Sequence, residues 1–216
     1  TDPCGNFASC EQTIEVSDTT SPRITCPADI TLYLDADCQV DDSPAATGVA
    51  TGEDNCTAPG DLEITHEDQM SSGCGSSYTI QRTWLVTDAC GNTATCQQLI
   101  TVLDNTPPTM DCLLSLDLGC NPVVPDASPA DLSAMDNCGQ VEISVIQGEP
   151  IQEGCSFRRR DTYTAIDPCG NTVSCSRYVV WTEDKEGPVI AGVPSDLAID
   201  CQSPLPPVPT DITATD

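Results

Sequence analysis

Basic side chains, aromatic rings and histidine are all scarce in this sequence, and each scarcity removes a class of function. Seven Lys and Arg stand against 34 Asp and Glu, a net charge of −27 at pH 7. Most faces of such a chain repel polyanions, which excludes nucleic acid and anionic lipid headgroups as partners. No segment approaches the ~18 consecutive apolar residues of a membrane-crossing helix, so no direct membrane insertion is expected in this segment. No signal-peptide pattern opens the chain at Thr1-Asp2-Pro3-Cys4. The sequence therefore reads as an interior window of something longer, with any export signal or anchor expected outside it. The single histidine, His66, and the lack of Cys-x2-Cys pairs exclude zinc sites. Aromatics make up 4% and hydrophobic residues 38% of the chain, which suits folding units that are small or cross-linked.

Cysteine and acid are what the chain has in excess. Its 216 residues include 15 cysteines, about 7%, and thiols at that density persist as disulfides only in an oxidising compartment. The expected location is extracellular or at the cell surface. The acidity suits solubility, salt tolerance and the binding of divalent cations.

The phrase Asp-x-Cys-Gly-Asn occurs at Asp2–Asn6, Asp88–Asn92 and Asp167–Asn171, each time with a second cysteine six residues after the first: Cys4 and Cys10, Cys90 and Cys96, Cys169 and Cys175. Each copy leads into a Val-rich stretch and then Asp-x3-Pro, at Asp18–Pro22, Asp104–Pro108 and Asp184–Pro188. A second phrase, Asp-Asn-Cys, occurs at Asp54–Cys56 and Asp136–Cys138. Fixed-period self-similarity of this kind marks a tandem-repeat architecture. Cutting after those prolines gives the tail of one repeat (1–22), two complete repeats (23–108 and 109–188) and the start of another (189–216). The cysteines then fall in register: Cys26, Cys38, Cys56, Cys74, Cys90 and Cys96 in one complete repeat, Cys112, Cys120, Cys138, Cys155, Cys169 and Cys175 in the next. Cys201 aligns with Cys38 and Cys120, and its partner is expected beyond Asp216. Val193-Pro194 stands where Cys26-Pro27 stands earlier, so the last repeat is also expected to lack the Cys96 equivalent.

Alternation with a period of two marks strands. Cys10, Gln12, Ile14 and Val16 share one face, as do Cys96, Gln98, Ile100 and Val102, while Tyr78, Ile80, Arg82, Trp84 and Val86 alternate with threonines and Gln81. Asp-x-Cys-Gly-Asn is then the turn of a hairpin between the last two strands, with Gly91 and Asn92 suited to positive φ. Helical periodicity is absent and 18 prolines punctuate the chain. The expected fold is all-β: tandem immunoglobulin-like antiparallel β-sandwich repeats, with three disulfides per complete repeat. Six cysteines allow 15 connectivities. Cys26 with Cys96 ranks first, because the first and last strands of such a sandwich are neighbours. The remaining four pair as Cys38 with Cys74 and Cys56 with Cys90, or alternatively as Cys38 with Cys56 and Cys74 with Cys90. In the following repeat the first scheme gives Cys112 with Cys175, Cys120 with Cys155 and Cys138 with Cys169.

These residues resemble a known pattern. Cys26-Pro27-Ala28-Asp29-Ile30, Asp54-Asn55-Cys56 and Thr87–Cys96 followed by Ile100-Thr101-Val102 are similar to the hyalin-repeat (HYR-like) domain. The six-cysteine form resembles repeats of giant cell-surface and gliding-motility adhesins of the Bacteroidota. The resemblance covers the whole chain and implies an immunoglobulin-like fold, export to a bacterial cell surface and a role in adhesion as a stalk or filament. Two departures stand out: Thr109-Met110-Asp111-Cys112 lacks the Pro-Ala-Asp-Ile start, and the last repeat lacks its first cysteine.

In a sandwich of this topology the Asp-Asn-Cys loop and the Cys-Gly-Asn hairpin share the end where the preceding Asp-x3-Pro linker arrives. Asp18, Asp54 and Asp88 are expected to meet at one junction and Asp104, Asp136 and Asp167 at the next. Six to eight hard oxygens suit calcium, in a manner that resembles cadherin linkers. The competing account makes each aspartate a turn cap on its own backbone amides. His66-Glu67-Asp68 lacks a nucleophile phrase and a second histidine, so a solvent-facing loop is expected. Arg158, Arg159 and Arg160, beside Asp161, read as an exposed sheet face, with a docking spot for an acidic chain as the sharper reading. Asn55-Cys56-Thr57 has the form of an N-glycosylation sequon, and Asp18-Thr19-Thr20 resembles a Bacteroidota O-glycosylation motif. No residue constellation supports an enzyme. A disulfide-locked structural and adhesive segment is expected, partnered by neighbouring repeats of the same chain, like chains in a filament or a surface polysaccharide. A glycan- or protein-binding module is the alternative, although Trp84 and Trp181 sit in strand patterns.

Overall fold

A computed structural model describes residues 3–199 and 204–215; Cys201 lies outside them. The described chain is all-β. Residues 23–108 carry β1 (Arg23–Thr25), β2 (Ile30–Tyr33), β3 (Thr51–Glu53), β4 (Glu63–Ser72), β5 (Tyr78–Thr87) and β6 (Thr93–Leu103). Residues 109–188 carry β7 (Thr109–Met110), β8 (Leu116–Cys120), β9 (Ala134–Met135), β10 (Glu142–Gln147), β11 (Ile151–Glu153), β12 (Ser156–Ile166) and β13 (Thr172–Thr182). A short antiparallel pair, β14 (Val189–Ala191) and β15 (Thr213–Thr215), follows.

Contacts group the chain into two compact units. One takes in the residues up to Asp111 together with Ser133–Ser144 and Thr164–Ser174. It holds a four-stranded sheet in the order β2-β6-β5-β4, and two small pairs, β1-β3 and β7-β9. The long hairpin β5–β6 is antiparallel from Tyr78 opposite Val102 to Thr87 opposite Thr93. Strand β2 lies parallel to β6, Ile30 beside Ile100. Alternation builds the core: Ile80, Ile100 and Val102 are buried with Leu34 and Cys138, and Ile30, Leu32, Cys38, Val40 and Tyr78 pack around them. Gln98 is fully buried on the same face with its amide satisfied: Nε2 donates to the carbonyls of Ala28 (3.0 Å) and Thr47 (2.8 Å), and Oε1 accepts from Trp84 Nε1 (3.4 Å).

The other unit comprises Cys112–Leu132, Val145–Tyr163 and the residues from Cys175 onward. The sheet of this repeat runs β10-β12-β13-β8, with β11 paired to β12 and β8 parallel to β13. Tyr163, Val179 and Trp181 are buried in it, and Phe157 stacks on Trp181 at 5.4 Å with the rings 7° from parallel.

Four local expectations need correction. The alternating stretch at Cys10–Val16 forms no strand and is exposed. His66 is not in a loop: it lies in β4 opposite Trp84, with ring centroids 5.1 Å apart. Its neighbour Asp68 pairs bidentately with buried Arg82 at 2.7 and 2.8 Å. Arg158–Arg160 are not one exposed face, since the middle residue points inward. Arg159 is buried, donates to Asp161 (2.9 and 3.1 Å) and to the carbonyl of Pro125 (2.8 Å), while Arg158 covers Tyr178. Of Gly91 and Asn92, only the glycine takes positive φ.

Candidate metal centres

Each acidic site is assembled from three short phrases, and the hairpin turn comes first. Its glycine sits at φ +89° in all three copies, Gly5, Gly91 and Gly170, a conformation that costs a side-chain-bearing residue strain. That tight turn points two backbone N–H groups at the leading aspartate. Asp88 Oδ1 accepts from the N–H of Cys90 (2.9 Å) and Asn92 (2.8 Å), and Oδ2 accepts from Asn92 Nδ2 (2.7 Å). Asp167 repeats the pattern with Cys169 (2.8 Å), Asn171 (2.9 Å) and Asn171 Nδ2 (2.7 Å). The asparagine also reaches the incoming linker: Asn92 Nδ2 donates to the carbonyl of Asp18, and Asn171 Nδ2 to that of Asp104, each at 3.2 Å. The final asparagine of the motif thus ties linker to hairpin.

The Asp-Asn-Cys loop supplies the second carboxylate. Asp54 Oδ2 accepts from the N–H of Cys56 (2.9 Å) and Thr57 (2.8 Å), and Asp136 Oδ1 from that of Cys138 (2.8 Å). The linker supplies the third, with Asp18 Oδ1 accepting from Thr20 N–H (3.0 Å) and Asp104 Oδ1 from Thr106 N–H (3.1 Å). Asp18, Asp54 and Asp88 each bring one carboxylate oxygen within 4.8 Å of the others, and so do Asp104, Asp136 and Asp167. Turn capping and clustering therefore coexist in the same side chains.

Three oxygens at these sites, Asp18 Oδ2, Asp54 Oδ1 and Asp136 Oδ2, are buried without a hydrogen-bond partner. Among the described residues, the ion pairs of Arg82, Arg159, Arg177 and Lys185 are made with other acids. The backbone amides of Thr57 and Cys56 hold the Asp54 carboxyl below its usual range. Burial pushes Asp88 up, but the hydrogen bonds from Asn92 and Cys90 outweigh it and leave that carboxyl lowered as well. Three carboxylates so close, with orphaned oxygens at each site and no cationic partner among the described residues, fit a hard divalent ion.

Cysteines flank each acidic site. Among the described residues three disulfides form, and one of them, Cys26–Cys96, closes within residues 23–108. The others are Cys38–Cys138 and Cys74–Cys169, with sequence separations of 100 and 95. The pairs Cys38–Cys74 and Cys56–Cys90, their alternatives Cys38–Cys56 and Cys74–Cys90, and the pairs Cys120–Cys155 and Cys138–Cys169 are thus corrected: Cys56, Cys90, Cys120 and Cys155 are exposed thiols. The physical reason lies beside the aspartates. Cys138 follows Asp136 and Cys169 follows Asp167 in the loops that receive the linker, so both face cysteines of the preceding repeat. Ser76 Oγ donating to the carbonyl of Cys138 (2.7 Å) seals the same contact. Cys112 and Cys175 are not bridged, and burial, with Cys112 beside it, pushes the Cys175 thiol up to about 11. The adjacency of cysteine to aspartate is visible in the sequence and is the signal that carries this pairing. At the Asn55 sequon, the amide nitrogen already donates to Asp18 Oδ1 (3.4 Å) and Cys56 Sγ (3.0 Å), and Thr57 is buried.

No family model matches the chain. It is 27% identical over 211 residues to the sushi, von Willebrand factor type A, EGF and pentraxin domain-containing protein 1 of Rattus norvegicus, and likewise to that of Mus musculus. These alignments take in 96% of this chain and 5% of each relative, so the chain spans about a twentieth of their length. Among solved structures it is similar to human CDH23 EC21-23 (11% identity, TM-score 0.38, 91% of this chain and 80% of that one). It is similar too to the protocadherin gammaB7 EC3-6 cis-dimer (12%, TM-score 0.34, 82% and 55%). Among the described residues no helix is long and apolar enough to cross a membrane.

Proposed function

We propose that this chain is a structural and adhesive segment of an extracellular repeat array, of the HYR-like kind found in Bacteroidota surface adhesins, whose successive repeats are joined at calcium-holding aspartate triads. One observation carries the reading: the same three-carboxylate cluster recurs at two equivalent positions, assembled each time from one linker, one Asp-Asn-Cys loop and one hairpin turn. A chance acidic patch has no reason to repeat with the same hydrogen bonds on Asp88 and Asp167. The orphaned oxygens of Asp18, Asp54 and Asp136 supply the donors an ion needs, and backbone carbonyls and water complete six to eight ligands. The partners are neighbouring repeats of the same chain, with like chains in a filament or a surface polysaccharide as the adhesive counterpart.

Calorimetric titration of the oxidised chain with calcium tests this. Two ions bound per chain are expected, falling to one in Asp167→Ala. A chain that takes up no calcium at millimolar concentration contradicts the reading.

A further inference from the structure

The two disulfides that join successive repeats follow a rule of register. Numbering the cysteines of each repeat from first to sixth, Cys38–Cys138 joins the second of one repeat to the third of the next, and Cys74–Cys169 joins the fourth to the fifth. Four thiols remain exposed at these same register positions: Cys56 and Cys90 are a third and a fifth, Cys120 and Cys155 a second and a fourth.

Local structure places each of these pairs as the bridged ones are placed. Cys38 and Cys74 flank the point where the linker leaves its repeat: Leu34 N–H donates to the carbonyl of Leu103 (3.0 Å), and Asp104 N–H donates to Ser77 Oγ (2.9 Å), whose own N–H donates to the carbonyl of Cys74 (2.8 Å). Cys120 and Cys155 flank the next departure. Cys120 lies opposite Thr182, and the carbonyl of Cys155 accepts from Glu183 N–H (2.9 Å). Asp184 there caps its own linker, Oδ1 accepting from Glu186 N–H (3.0 Å), as Asp104 does with Thr106. Cys120 lines an open cleft of about 460 Å³ beside Phe157, Trp181 and Thr182. Cys155 lines another of about 310 Å³ beside Glu183 and Asp184. Cys56 and Cys90, in turn, follow Asp54 and Asp88 just as bridged Cys138 and Cys169 follow Asp136 and Asp167.

We propose that Cys120 and Cys155 are the attachment sites for a following copy of this repeat, through its third and fifth cysteines. Cys56 and Cys90 receive the second and fourth cysteines of a preceding copy. Two covalent staples then accompany each aspartate triad along the array. In each staple one S–S bond replaces two S–H bonds. The two protons and two electrons pass to a disulfide oxidant, which is reduced to two thiols.

The test inserts a second copy of residues 109–188 after Pro188 of the full chain, marked by Gln140→Ser and Thr172→Ser at exposed positions and carrying Cys120→Ser and Cys155→Ser, so that every Cys120 or Cys155 peptide belongs to the unmarked copy. Disulfide-linked peptides are then mapped by mass spectrometry after alkylation. Cys120 of the unmarked copy is expected on the marked Cys138 peptide, and Cys155 of the unmarked copy on Cys169 of the insert. Unmarked Cys120 and Cys155 that stay alkylated, or that pair within their own copy, overturn the proposal. The parent chain gives a second readout that needs no insertion to fold. There Cys38 is expected on Cys138 and Cys74 on Cys169, with Cys56, Cys90, Cys120 and Cys155 alkylated. A Cys38–Cys74 or Cys120–Cys155 link in the parent equally overturns it.

Discussion

Asp54 holds its two oxygens in different company: Oδ2 accepts two backbone N–H groups, and Oδ1 is buried without a partner. The division of labour lets one residue cap a loop and still keep an oxygen unpaired. It also sets a pH dependence. Backbone amides lower the carboxyl of Asp54, hydrogen bonds lower that of Asp88 against its burial, the Arg82 hydrogen bond lowers that of Asp68, and Tyr163 leads the groups that lower that of Asp131. A carboxyl whose folded pKa lies below its unfolded value of about 3.9 adds stability that is present above that value and is lost as the pH falls through the folded pKa. The melting temperature measured against pH, without calcium, is therefore expected to be flat above about pH 5 and to drop below about pH 4. A drop already complete at pH 6 contradicts this assignment.

At the scale of strands, the hairpin β5–β6 was legible because its alternation is uninterrupted, and Asp-x-Cys-Gly-Asn announced its turn. Strand β4 was not: nearly every residue from Glu63 to Ser72 is exposed, so no period of two marks it, and His66 looked like loop. Polar residues on the buried face were legible as positions but not as interactions. Arg82 alternates with Ile80 and Trp84, yet nothing local says that its partner is Asp68 across the sheet, or that Thr47 Oγ1 (2.8 Å) and the carbonyl of Asp42 (3.0 Å) accept two further donors. In the following repeat the buried charge at the corresponding place, six residues before the hairpin aspartate, is the acid Asp161, held by Arg159 and, at 3.5 Å, by Arg177. Arg82→Ala leaves Asp68, Thr47 and Asp42 without their donor and is expected to destabilise the fold by about 3 kcal/mol in chemical denaturation. A change below about 0.5 kcal/mol, the size of an ordinary surface substitution, contradicts a structural role for this pair.

For the molecule as a whole, the repeat register carried the furthest. It aligned the cysteines and foresaw which aspartates meet, because both follow from which loops share an end of a sandwich. The intra-repeat pairing of Cys38, Cys56, Cys74 and Cys90 failed for want of one step: a loop that presents an aspartate to its neighbour's linker presents the adjacent cysteine as well. Small hydrophobic clusters such as that around Ile80, Ile100 and Val102 leave cross-links a large share of the stability. The most direct test of the calcium-holding array is thermal unfolding of the oxidised chain in millimolar calcium and again in EDTA. The account predicts a melting temperature several degrees higher in calcium, with the difference removed in a chain carrying both Asp88→Ala and Asp167→Ala; identical melts in calcium and EDTA contradict it.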